Sequence, residues 1–94
     1  MKSISEGEFE QLVAGIVEDR DMIIKHNPVG TDEEVLLWML MSVLVTYLSL
    51  DPAETPCFSG RPDAGTYGNA IRSILANRRA DNFDPDVHLD KLSK

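Results

Sequence analysis

The amino-acid sequence predicts an all-α fold: an antiparallel helical hairpin completed by a third helix and a short C-terminal helix, bundle-like and dimeric. Three observations carry that prediction. Apolar residues recur at i, i+3, i+4, i+7 spacing over long stretches, and two Ser/Thr-x-x-Glu signatures mark helix starts. No segment of five or more residues alternates apolar with polar, so no strand is expected.

The first predicted helix covers about residues 5–26. Ser5 and Glu8 have the spacing of a capping box, in which each side chain satisfies the other residue's backbone N–H. Phe9, Leu12, Val13, Ile16, Val17, Ile23 and Ile24 then fall on one face, interrupted only by Arg20. Asp21 and Lys25 add an i,i+4 pair on the outer side. Asn27-Pro28-Val29-Gly30 ends the helix, because proline lacks an N–H and disfavours a helical predecessor.

Thr31 and Glu34 form the second capping signature and open a helix over about residues 31–50. Asp32, Glu33 and Glu34 place three carboxylates at the positive end of its dipole. Leu37, Leu40, Leu44 and Leu48 are the expected core. From Val35 to Leu50 no residue is charged. That stretch is about 24 Å long, short of the roughly 30 Å hydrocarbon core of a bilayer. Its flanks are acidic and offer no Lys or Arg, so a buried central helix is predicted rather than a membrane span. This helix is apolar nearly all round, and its weakly polar Ser42, Thr46 and Ser49 lie on one stripe. The short connection at 27–30 makes the first two helices antiparallel neighbours.

Residues 51–65, DPAETPCFSGRPDAG, hold three prolines and two glycines and predict an irregular, stiff loop. A third helix is expected over about 66–80, burying Tyr67, Ala70, Ile71, Ile74 and Leu75, with Arg78 and Arg79 in its last turn. Asp84 as N-cap and Pro85 at the first helical position start a short helix over about 85–92. It docks by Leu89 and Leu92, with Val87 or Phe83 as a staple.

Length and charge narrow the function. Ninety-four residues make a single domain, and area scaling leaves roughly 64% of the unfolded surface buried. The net charge of −7 argues against a nucleic-acid binder, which needs a basic footprint. Residues 28–65 carry one basic and six acidic groups; residues 66–94 carry five and four and are the least acidic third. A lone cysteine, Cys57, fits a reducing compartment, and MKSISEGEFE has no apolar signal core, so a cytoplasmic protein is expected.

No residue constellation predicts catalysis, a metal or a cofactor. Cys57 has no histidine near it in sequence and reads as a small apolar residue wedged under the loop. His26 and His88 lack further ligands at helical spacing and read as surface residues. The acidic runs have sufficient explanation as helix starts or as the solvated side of the first helix. Gly60 and Gly65 do not match a phosphate loop. Thr66, Asn69, Arg72, Ser73 and Arg79 are types that a recognition helix uses, but the loop before them is too long for a helix-turn-helix.

The functional expectation is a non-enzymatic interaction module: a small accessory, adaptor or regulatory protein acting as a homodimer. Three helices cover only part of the circumference of the 31–50 helix, and a second copy is the simplest cover for the rest. A protein partner is expected at the proline loop and the least acidic third, through Phe58, Arg61, Tyr67, Arg72, Arg78 and Arg79. The rival reading is a helical protein that binds a small apolar ligand or lipid beside Trp38 and Tyr47. A nucleic-acid mimic or DNA-binding regulator comes after it.

Overall fold

In the computed structural model, residues 2–93 are described. They form α1 (Glu6–Glu18), α2 (Arg20–His26), α3 (Asp32–Leu48), α4 (Ala64–Ala76) and α5 (Asp86–Leu89), which runs into a 3-10 turn, Asp90–Leu92. The fold is all-helical among the described residues. Its single β-type contact is an isolated bridge between Ile4 and Arg79.

Both capping boxes form. Ser5 Oγ accepts the Glu8 N–H at 3.2 Å, and Glu8 Oε1 accepts the Ser5 N–H at 2.9 Å. Thr31 and Glu34 repeat the arrangement with the same distances, 3.2 and 2.9 Å. α3 then runs to Leu48 and stops at Ser49, whose left-handed φ of 53° forms the C-cap. Its start and stop agree with the expectation.

The expected single helix over 5–26 is two. Asp19 leaves helical geometry (φ −96°, ψ 13°) and separates α1 from α2. Gly15 and Asp19 are both poor helix formers, so the backbone yields there at low cost. The break turns α2 onto α3, with Arg20 reaching 3.7 Å from Asp32. Val17, expected on the buried face, is exposed.

The helix expected over 66–80 begins and ends earlier. Asp63 is its N-cap and accepts the Thr66 N–H at 2.8 Å. At the other end the chain leaves the helix after Ala76 to pair with the N-terminal segment. Ile4 donates to the Arg78 carbonyl and accepts from the Ala80 N–H, both at 2.8 Å. Arg78 and Arg79 therefore lie beyond the helix rather than in its last turn. The exchange seals Ile4 completely into the core, a burial that outweighs another turn of helix.

The C-terminal helix is shorter than expected. Asp84 Oδ1 accepts the Asp86 N–H at 3.0 Å, and Phe83 rather than Val87 is the buried staple. Phe83, Leu89 and Leu92 join Ile4, Phe9, Val13, Leu36, Leu40, Leu44, Ile71 and Leu75 in one core.

α3 is the centre of the molecule. α1 and α2 run antiparallel along one flank, shown by Glu8 at Tyr47 and Arg20 at Asp32. α4 runs parallel along the other, with Tyr67 beside Trp38 at one end and Ile74 beside Leu50 at the other. The C-terminal turn packs on both α1 and α3. Opposite it, Trp38, Thr46 and Ser49 are exposed, and Met39, Ser42 and Val43 are half-buried.

Candidate functional site

Two of the recesses that meet solvent border the exposed residues of α3. The first lies at its N-terminal end, a cleft of about 210 Å³ lined by Asn27, Val29, Glu34, Val35, Trp38, Arg61, Pro62 and Tyr67. The second is a shallow groove of about 380 Å³ along its exposed face, formed by Ser42, Val43, Thr46 and Tyr47.

Local sequence explains the cleft. The Thr31 cap fixes Glu34 in the first turn of α3, where its carboxylate also takes the Arg61 guanidinium at 3.4 Å. Gly30, at φ +80°, lets the chain pass beneath that pair; a Cβ there would strike both side chains. Asp63 caps α4 and so sets Tyr67, four residues on, against Val35 and Trp38. The backbone N–H of Thr66, donated to the cap, holds the Asp63 carboxyl below its ordinary value. Phe58 packs edge-on to Tyr67, with ring centroids 5.6 Å apart at 78°. Tyr67 is only 8% exposed.

Tyr47, at the edge of the second recess, donates its hydroxyl to Glu8, and the Lys2 ammonium sits 4.4 Å from the ring centroid. The Tyr47 bond, followed by the Ser5 cap, pulls the Glu8 carboxyl below its usual range; the same bond raises the phenol. Glu8 is thus a cap and a tether.

Of the six residues singled out in the sequence, the structure brings Phe58, Arg61 and Tyr67 together at the Trp38 cleft. The other three lie elsewhere and are engaged internally. Arg72 pairs with Asp86 at 2.6 Å and with Asn69 at 3.0 Å. Arg78 is buried, bonded to Glu54 in the proline loop and to the Lys2 carbonyl. Arg79 donates to the Phe83 carbonyl. Arg78 and Arg79 are consequently tied up in the seam between the N-terminal segment and the chain after α4.

Two further expectations are corrected. Cys57 is exposed on the loop rather than wedged beneath it; Phe58 takes the inward position. His88 is not a surface residue: it is 3% exposed, packed edge-on against Phe9 and Phe83 at 5.8 and 6.4 Å. Its Nε2 lies 3.0 Å from Glu6, while Nδ1 is buried with no partner. The i, i+1, i+4 spacing of His88, Leu89 and Leu92 carried that signal. Nothing in the sequence could pair Trp38 with Tyr67 or Glu34 with Arg61, which are 29 and 27 positions apart.

Among the described residues no three His, Cys, Asp or Glu side chains converge as a metal site would require. No helix among them is long and apolar enough to cross a membrane. Comparison with protein-family models, with curated proteins and with solved structures returns no match.

Proposed function

We propose that this chain is a non-enzymatic, cytoplasmic protein-interaction module that works as a homodimer. One observation carries the reading: the face of α3 that bears the exposed Trp38 and Thr46 and the half-buried Met39, Ser42 and Val43 carries no charge and meets solvent in a shallow groove. Two copies that each carry −7 repel over most of their surfaces, so self-association favours the charge-free face. Ser42 and Thr46 are short enough for a second α3 to approach closely, and Val43 and Met39 supply apolar area at the edges. The proline loop reaches only the Trp38 end of this face, through Arg61 and Pro62. Glu54 and Pro56 lie with Leu50, Ile74 and Arg78 on the α4 side.

The polar groups that chemistry would call on have structural duties, which supports the non-enzymatic part. Glu8 and Glu34 cap helices, Asp63 caps α4, and His88 fills the core. The exposed thiol of Cys57 fits a reducing compartment. A second protein would meet the dimer at the cleft formed with Phe58, Arg61 and Tyr67.

The reading as a small-ligand protein has the Trp38 cleft in its favour. That cleft, about 210 Å³ and open, is smaller than the roughly 300–1,000 Å³ of small-molecule sites and closer in scale to a partner's side chain. A Ser42→Glu change tests the proposed dimer face. Light scattering after gel filtration should report a folded monomer; a variant that remains dimeric would exclude this face.

A further inference from the structure

The Trp38 cleft has a chemical character of its own. Its walls are two aromatic residues with Val29, Val35 and Pro62, and its charged groups are Glu34 and Arg61. Glu34 is held in place: its side chain is 16% exposed and accepts the Thr31 N–H. Arg61 is held loosely, with 57% of its side chain exposed and a 3.4 Å contact to Glu34. It is also the only cation in residues 28–65, against six carboxylates. Tyr67, more than nine-tenths buried, lines the same cleft.

We infer that this cleft receives a lysine or arginine side chain, set between apolar residues of a partner protein, and that Arg61 covers Glu34 as the chain's own substitute until it arrives. An anchored carboxylate beside aromatic rings in an acidic segment attracts a cation through both charge and ring quadrupole. The apolar walls accept the aliphatic stem of such a side chain or its neighbours. An incoming cation exchanges one ion pair for another at Glu34 and releases Arg61 to water, where a guanidinium is well solvated. The exchange leaves no charge buried alone. A cation site here rests on the reading as an interaction module; because Trp38 borders both the cleft and the open face of α3, sedimentation with and without peptide accompanies the titration, and an unchanged association state assigns the signal to the cleft.

The chain has one tryptophan, so the Trp38 indole N–H is a single, assigned reporter. The probes are acetyl-Leu-Arg-Leu-amide and its Gln and Glu counterparts, titrated by NMR. The Arg peptide should shift the indole signal saturably in the millimolar range. Arg61→Ala, which removes the internal competitor, should tighten that binding about fivefold, and Glu34→Gln, which retains the acceptor for Thr31, should weaken it about fivefold. Thermal unfolding of each variant checks its fold, and Arg61→Ala alone decides if Glu34→Gln does not fold. The proposal is overturned if the Gln peptide binds as well as the Arg peptide, or if no peptide moves the signal in the parent or in Arg61→Ala. It is equally overturned if the Glu peptide binds and Arg61→Ala abolishes it, since the cleft would then be an anion site built on Arg61.

Discussion

His88 Nε2 lies 3.0 Å from Glu6 Oε2, joining the last helix to the first turn of α1 across 82 positions of sequence. The ring is sealed between Phe9 and Phe83 and the carboxylate is half-exposed, so the two partners contribute unequally. His88→Ala should destabilise by about 3 kcal/mol, because it opens a cavity among aromatic rings. Glu6→Gln should cost less than about 1 kcal/mol, since an exposed pairing partner adds little. Urea unfolding of both variants checks the order. Equal losses would mean that the contact to Glu6, not the packing, holds α5 in place.

Leu44 is fully buried at the centre of α3. Leu44→Ala should cost about 2–5 kcal/mol in the same measurement. A loss under about 1 kcal/mol would place this part of α3 outside the core.

Acid stability follows from the caps. Glu8 and Asp63 both have carboxyl pKa values lowered in the folded state, from ordinary values of 4.5 and 3.8, chiefly by the Tyr47 hydroxyl and the Thr66 N–H respectively. A lowered folded value means the unfolded chain takes up protons first. The stabilisation is therefore complete above the ordinary values and is lost as pH falls through the lower, folded ones. The urea midpoint should hold from neutral pH down to about 5 and decline below that. Asp63→Asn, which retains the cap acceptor without the charge, should show a shallower decline. An acid profile identical to the parent's would contradict the assignment.

Gly30 should resist replacement. Gly30→Ala forces a side chain into a left-handed backbone (φ +80°) and into the space of Glu34 and Arg61. A cost of about 1–2 kcal/mol is expected from the backbone alone. Calorimetry checks it, and an unchanged melting temperature would show that the 27–30 turn adopts a different path.

Much of this architecture was legible because its signals are local. The capping boxes at Ser5 and Thr31 and the periodicity of α4 depend on residues three or four apart and appear where expected, while α3 ends at Ser49, two residues before the Asp51-Pro52 stop. What escaped depends on distant partners. The bridge from Ile4 to residues 78–80 ended α4 early, and no propensity of Arg78 or Arg79 announces it. The same bridge moved two of the expected binding arginines into internal bonds. The loop was recognisable from its prolines, but which of Cys57 and Phe58 points inward is decided by the room beside Tyr67. The cleft at Trp38 needed three separate segments to be brought together.

The central claim is that α3 is left open for a second copy. Sedimentation equilibrium of the parent protein at tens of micromolar, across several loading concentrations, tests it most directly. A single species of twice the 10.5 kDa chain mass is predicted. A well-folded species of 10.5 kDa at every concentration would contradict the account, and the face of Trp38, Ser42 and Thr46 would then be a surface that water covers.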